Sequence, residues 1–329
     1  MKSVYISRKS KFSGNIISLL ASTTEILCAL GLKEKIVGIS HECDNPIDIL
    51  DLPRISKPNI NINNSSKDIN TSVENSVFNK LPIYNLDMEL LKTLKPKIIF
   101  TQDMCNVCAV SQKDLNNYFS HVSNSDVEVI SYSPNSLTEI LKEIKFIGEK
   151  LDCEFGVNAL LTDLKIRLKT FKQENQKEKK PSVAFIEWIE PIYFGGNWIP
   201  ELINYAGGKY IFGEPGVHSS IISFDEIVSS DPDYILIAPC GFNIDKTLEE
   251  LEPFLKRPEW RFLKAVRNNN VYVLDGNKYF NRPGMGIITS VEIIAEIIHS
   301  EKFIYQFENI AWVRLNQIEN FYLIKNLNN

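Results

Sequence analysis

The residues best equipped for chemistry are cysteines and histidines that fall in loops. Cys105-Asn-Val-Cys108 has the two-residue spacing of a metal knuckle or a redox pair, and His41, Cys43 and Cys240 sit in other loops. A lone pair of this kind is equally well explained by packing. Its company argues for more: Cys43, Cys105, Cys108 and Cys240 as thiolates, with His41 nearby, would hold a soft metal. A thioredoxin-type reaction does not fit, because the pair follows a late strand of its lobe and lacks the usual Gly-Pro insert. Cys28 and Cys153 fall inside helical patterns and read as core residues.

A second set of residues suits binding rather than reaction. Trp188, Trp198, Phe242, Tyr279 and Phe280 cluster near expected strand ends, and Arg282 follows them as a partner for a carboxylate or phosphate. His218 lies in the loop Gly213-Glu-Pro-Gly-Val-His-Ser-Ser220. Thr23 begins a helix, where free N–H groups favour an anion, and Glu42 and Asp103 occupy loops of the same kind. A macrocycle with large apolar faces suits such a set. Micromolar binding needs about 8 kcal/mol, which several aromatic contacts at about 1 kcal/mol each beyond burial, plus apolar area, can reach. No phosphate-cradling Gly-rich loop, nucleophile elbow or paired His on a helix is present, so hydrolysis and nucleotide chemistry have no visible machinery.

The elements that must position these residues alternate in type. Strand patterns at Ile16–Leu20, Ile36–Ser40, Lys97–Thr101 and Val127–Tyr132 are interleaved with helical ones at Thr23–Leu30, Met88–Leu94 and Gln112–Phe119. The first helix is expected to be capped by Ser22 with Glu25. Asn59–Asn75, rich in Asn and Ser, reads as a surface loop. Alternation resumes with strands at Val183–Trp188, Tyr234–Ile237 and Val271–Leu274, and helices at Pro200–Tyr205, Asp225–Ser229, Thr247–Leu255 and Ile287–Ile298. This pattern implies parallel sheets with helices on their faces, an α/β fold.

Between the two halves, apolar residues recur with helical spacing from Leu137 to Phe171. The spacing predicts one long helix that starts at a Ser136/Glu139 capping box and dissolves in the polar run before Pro181. At 1.5 Å per residue it would be about 50 Å long, enough to tie two bodies together. A break near Gly156 is the alternative. The expected organisation is therefore an N-terminal α/β lobe over 1–135, a connecting helix over 136–178 and a C-terminal α/β lobe over 179–329. The tail from Phe303 onward fits no element. Ligands of open parallel sheets bind beyond the carboxyl ends of the strands, where the cysteines and aromatics fall, so a single cleft between the lobes is expected.

A net charge of −5, from 41 acidic and 36 basic residues without a basic stripe, excludes nucleic acid as the natural partner. No apolar run approaches the 18 or more residues that span a bilayer. The segment Ile16–Ala21 is too short for a secretory signal and reads better as a strand before a helix. The expectation is a cytoplasmic monomer, or a periplasmic or cell-surface protein if a signal has been trimmed.

Ile16-Ile-Ser-Leu-Leu-Ala-Ser-Thr-Thr-Glu-Ile-Leu-Cys-Ala-Leu-Gly-Leu32 and Ile36-Val-Gly-Ile-Ser-His-Glu-Cys-Asp44 resemble the opening of the iron-siderophore and cobalamin substrate-binding proteins of ABC importers. Leu90–Ile99, Pro232–Ile237 and Val271–Asp275 are similar to later segments of that family in the same order, so the likeness covers roughly residues 14 to 300. Thr101–Ser111, Pro239–Phe242 and Tyr279–Gly284 resemble its cysteine-bearing, cobalamin-binding branch. The resemblance implies two lobes joined by a rigid helix and a non-catalytic role, with a corrinoid or ferric siderophore in the cleft. It also implies an ABC permease partner docked through one acidic residue per lobe, by position Glu89 and Asp225. The competing expectation is a cytosolic metal- or thiol-dependent enzyme that uses the Cys/His residues.

Overall fold

The computed structural model describes residues 10–102, 115, 127–174 and 180–315. These form two compact units, the first built from residues 1–64, 68–134 and 138–164, the second from 65–67, 135–137 and 165–329.

In the first unit β1 (Ile16–Ser18), β2 (Ile36–Ile39), β5 (Ile98–Thr101) and β6 (Glu128–Ser131) form a parallel sheet in the order β2-β1-β5-β6. Strand residues such as Ile16, Ile17 and Ile99 are buried, as expected where helices cover a parallel sheet. Ile17, Leu19, Ile55, Leu91, Ile99 and Leu115 make one apolar cluster. Helix α1 (Ala21–Ala29) follows β1 directly. It begins earlier than expected, with Leu20 at the N-cap and no side-chain cap. Ser22 and Glu25 are therefore buried residues inside the helix, not a capping box.

The expected loop at 59–75 contains a helix instead, α2 (Ser66–Phe78), set between the antiparallel partners β3 (Ser56–Pro58) and β4 (Tyr84–Leu86). Its start is secured from far along the chain. Glu250 accepts hydrogen bonds from the Ser66 N–H and hydroxyl, both at 2.8 Å. Helix α3 (Met88–Leu94) carries its own cap, Asp87, which accepts from the Leu90 N–H at 2.9 Å.

The long apolar stripe is divided between two helices, α4 (Leu137–Lys150) and α5 (Glu154–Glu174). The break has a plain cause. Asp152 takes a left-handed conformation at φ 55°, the Cys153 N–H reaches back to the Gly148 carbonyl at 2.7 Å, and the Asp152 N–H reaches Glu149 at 3.3 Å. This paired pattern ends a helix. Val157 then packs where a Cβ on Gly148 would lie, 2.4 Å away, so only glycine permits that approach. The division between the units falls within α5, between Leu164 and Lys165.

The second unit holds a six-stranded sheet. Strands β7 (Ser182–Trp188), β10 (Tyr234–Ile237) and β11 (Val271–Leu274) are parallel at its centre. The two-residue strands β8 (Tyr193–Phe194) and β9 (Lys209–Tyr210) pair with β7, and β12 (Trp312–Arg314) runs antiparallel to β11. Covering helices include α6 (Ile199–Tyr205), α7 (Phe224–Ser230) and, in place of one expected helix at 247–255, the short pair α8 (Ile244–Glu249) and α9 (Glu252–Leu255). A short α10 (Lys264–Arg267) precedes β11, and α11 (Ile287–Ile298) is buried along almost its whole length. Arg167 of α5 pairs with Glu292 of α11, its Nε at 3.0 Å and Nη2 at 2.5 Å from one oxygen.

Residues 303–315 of the tail are part of this fold. Glu296 on α11 is buried and accepts from the Tyr305 N–H at 2.5 Å, the Phe307 N–H at 3.0 Å and the Trp312 indole at 3.0 Å. Those bonds deliver β12 to the edge of β11. No helix among the described residues is long and apolar enough to cross a membrane.

Candidate functional site

Each unit gathers polar residues at the carboxyl ends of its parallel strands, as the topology requires. In the first unit the loop after β2 is fixed from below by Arg54, whose Nη1 donates to the Ser40 carbonyl at 2.8 Å and the Cys43 carbonyl at 2.5 Å. His41 stands in this loop with its Nδ1 2.9 Å from Ser56 Oγ and its ring 5.1 Å from that of Tyr84. Burial, reinforced by the Arg54 charge, lowers His41 to about 4. The ring is neutral at pH 7, so its 3.8 Å approach to Glu42 is not an ion pair there. The Glu42 side chain is half exposed.

Cys43 does not face outward as expected. It is fully buried, with its sulfur 3.1 Å from Thr24 Oγ1 and 3.3 Å from Ser40 Oγ. Burial pushes its thiol up, which disfavours the thiolate a metal needs. Burial likewise pushes the Cys28 thiol up, to about 12. Cys105, Cys108 and Asp103 lie outside the described residues. Among the described residues no three His, Cys, Asp or Glu side chains are grouped to hold a metal ion.

Thr23 is also buried, and its hydroxyl hydrogen-bonds the carboxyl of Glu143 on α4. Glu143 was not expected at the site. It is 2 % exposed, its Oε2 has no partner, and burial raises it to about 8, so it is largely a neutral acid at pH 7. A signal existed: Glu143 falls on the inward stripe formed by Ile140, Ile144 and Ile147.

In the second unit the loops after β7, β10 and β11 are stitched together. The Cys240 N–H donates to the Glu187 carbonyl at 3.0 Å, the Asn277 N–H to the Phe242 carbonyl at 3.0 Å, and Asn281 Nδ2 to the Ala238 carbonyl at 3.3 Å. A side chain at Gly276 would strike the Pro239 carbonyl at 2.2 Å, so the close approach of the two loops requires glycine. Trp188 and Tyr279 are partly exposed here, Cys240 is exposed, and Trp188 leans on Phe242 with ring centres 5.1 Å apart. Three of the expected aromatic contacts are buried in the interior of the unit. Phe242 and Phe280 are buried, the latter against Phe185, and Trp198 is buried with its indole N–H on the Phe280 carbonyl at 2.9 Å. Arg282 is buried too and donates to Asn277 Oδ1 at 3.0 Å.

A second unexpected carboxylate, Glu187, sits beside this cluster on β7, on the strand face shared with buried Val183 and Phe185. Ser219 Oγ donates to it at 2.9 Å and itself accepts the Gly196 N–H at 3.0 Å. Burial raises Glu187 to about 7. The loop it anchors carries His218, which is exposed. Gly196 is essential to that anchorage, because a Cβ there would lie 2.2 Å from the Ser219 nitrogen.

Glu89 is exposed and pairs with Lys92 at 2.9 Å. Asp225, in the first turn of α7, is exposed at the rim of a pocket of about 380 Å³ formed by residues 189–192, 222–225, 253, 254 and 257. None of the expected cysteines or aromatics lines it.

The comparisons with known proteins agree with this architecture. The model of the periplasmic binding protein family matches residues 16–277. The ABC transporter substrate-binding lipoprotein YvrC of Bacillus subtilis is 25% identical over 297 residues, covering 88% of this chain and 81% of its own. A vitamin B12-binding protein of Vibrio parahaemolyticus is 19% identical, covering 87% and 90% respectively. A crystal structure of an ABC transporter substrate-binding protein from Listeria monocytogenes superposes with a TM-score of 0.66 at 22% identity, over 87% of this chain and 98% of that one. The designation of YvrC as a lipoprotein gives the expected cytoplasmic location no support. From the matched segment and the two-unit parallel α/β fold it follows that the chain belongs to the periplasmic binding protein family and is an ABC-type substrate-binding protein, not an enzyme.

Proposed function

We propose that the chain captures a metal-containing chelate, a corrinoid in first place, for an ABC permease. The observation that carries this reading is the loop cluster at the carboxyl ends of β7, β10 and β11, where Trp188 and Tyr279 offer partly exposed aromatic surface beside the exposed Cys240. A flat, largely apolar macrocycle is held by such faces, with a few polar groups setting its orientation. The similarity to a vitamin B12-binding protein points the same way. On this reading Trp188 and Tyr279 contact the ligand directly, His218 supplies a polar contact, and Trp198, Phe242, Phe280 and Arg282 hold the loops in place. Thr23 acts through Glu143. Glu89 and Asp225 meet basic residues of the permease.

Titration of the purified protein with cyanocobalamin, aquacobalamin and a ferric hydroxamate siderophore, followed by tryptophan fluorescence and calorimetry, tests the reading. Quenching and heat with a corrinoid at a Kd below about 100 μM, about 5.5 kcal/mol, with the quenching weakened in Trp188→Phe, are expected. Binding of the siderophore alone would replace corrinoid by siderophore as the ligand. No binding of any of the three overturns the chelate reading. For docking, Glu89→Lys with Asp225→Lys should abolish uptake in cells and leave binding intact; unchanged uptake refutes the assignment.

A further inference from the structure

The pocket rimmed by Asp225 is built from the second unit alone. Its floor is apolar: Ile189, Ile222, Phe224 and Phe254 are buried and line it. At about 380 Å³ it falls at the small end of the range for small-molecule sites, about 300 to 1,000 Å³. Three charged residues also line it, and their states differ. Glu190 is engaged by Lys67 at 3.4 Å. Asp225 and Arg257 have no ion-pair partner among the described residues, and they do not pair with each other.

Arg257 is exposed, yet its head group is held in place. Its guanidinium carbon stands 4.5 Å above the ring of Phe224, the residue that forms part of the floor. Such stacking holds the planar fork in place and leaves its edge donors available. Asp225 follows Phe224 in the chain, in the first turn of α7, whose cap is already satisfied by Ser223 and Glu226. An acidic and a basic residue, both exposed and neither in an ion pair among the described residues, therefore line one pocket with an apolar floor.

We infer that this pocket is a binding site for a small zwitterion with an apolar body, an α-amino acid with a large aliphatic or aromatic side chain. Its carboxylate lies on the Arg257 fork, its ammonium at Asp225, and its side chain on Phe224, Phe254 and Ile222. A carboxylate alone would meet Asp225 unfavourably, and an amine alone would leave Arg257 unused. The site is separate from the chelate site and rests on none of its residues, although it shares Asp225 with the proposed permease contact.

The test titrates the unliganded wild-type protein, with no chelate present, by calorimetry and saturation-transfer NMR. The probes are L-phenylalanine, L-leucine, glycine, phenethylamine and 3-phenylpropionate. Saturable binding of phenylalanine or leucine with a Kd below about 1 mM is expected, with glycine and both single-charge analogues about tenfold weaker or more. Arg257→Gln should weaken phenylalanine about tenfold without changing phenethylamine, and Asp225→Asn should weaken phenylalanine without changing 3-phenylpropionate. Either no saturation by about 10 mM or equal binding of phenethylamine and phenylalanine overturns the inference, the latter marking the pocket as a socket for a basic side chain. Binding that neither variant alters places the amino acid elsewhere and also overturns it. Because no chelate enters the experiment, its failure and the failure of the chelate reading are separate results.

Discussion

Glu143 makes the pH dependence of the first unit predictable. Its carboxyl is raised from 4.5 to about 8 by burial, so the folded state keeps a proton that the unfolded chain releases near 4.5. The sign follows: the stabilisation is complete below 4.5 and is lost as pH rises toward 8, at 1.36 kcal/mol per pH unit. His41 works the other way. Its folded value of about 4 lies below the ordinary 6.5, so it destabilises the fold as pH falls from 6.5 toward 4. The two effects oppose one another below pH 6.5 and separate above it. Between pH 6.5 and 8 the wild-type first unit should lose about 2 kcal/mol through Glu143 alone. Glu143→Gln keeps the shape, removes the titration and should flatten that segment. The probe must be chosen with care, since all four tryptophans lie in the second unit and are blind to this transition. Hydrogen exchange of the β1, β5 and α4 amides in increasing urea, read by mass spectrometry at pH 6.5, 7, 7.5 and 8, resolves it. Parallel pH profiles for wild type and Glu143→Gln would refute the assignment of a buried neutral acid.

Three further outcomes are expected. Glu296→Ala strands two backbone donors and the Trp312 indole; a loss of about 3 kcal/mol, with a red-shifted tryptophan emission and new protease cleavage between 303 and 312, is expected, and unchanged urea melting contradicts it. Gly196→Ala should dislodge the 213–220 loop, since the new methyl meets backbone atoms that cannot yield, and limited proteolysis within that loop should rise while the far-UV spectrum holds. In native protein at pH 8, iodoacetamide should modify Cys240 well before Cys43, whose sulfur is buried among Thr24 and Ser40; peptide mapping of a time course shows the order, and equal rates would mean that the buried loop opens freely.

Much of the architecture was legible because hydrophobic period alone specifies it. Strands such as Tyr234–Ile237 and helices such as Ile287–Ile298 lie where the pattern placed them. The misreadings share a cause, which is that the deciding contact is remote or lies in the backbone. The helix at Ser66–Phe78 looked like a loop because its composition is polar, and the carboxylate that starts it is Glu250, 184 residues away. The break at 151–153 turns on a left-handed Asp152, a conformation that composition favours only weakly over others. Aromatics near strand ends could equally face a ligand or a core, and only packing separates Trp198 and Phe280, which are buried, from Trp188, which is not fully so. Glu143 and Glu187 were readable in principle, as acids at inward positions of a helix and of a strand. Burial of a carboxyl was the clue, and its interpretation required the neighbours.

The arrangement of the second sheet bears on how the chain is made. Strand β11 is parallel to β10 on one side and takes its other neighbour, β12, from residues 312–314. A ribosome delivers β11 about forty residues before β12, and until then β11 is an open edge of Val271-Tyr-Val-Leu274, all four residues apolar or aromatic and buried in the finished fold. An unpaired edge of this kind is a template for another chain. The short antiparallel strand, drawn into place by the buried Glu296, closes it last. Nascent chains stalled before residue 312 should therefore pair with one another or require a chaperone, whereas the finished chain should not. The part of the sequence that fits no pattern when read alone is what makes the nascent protein safe to release.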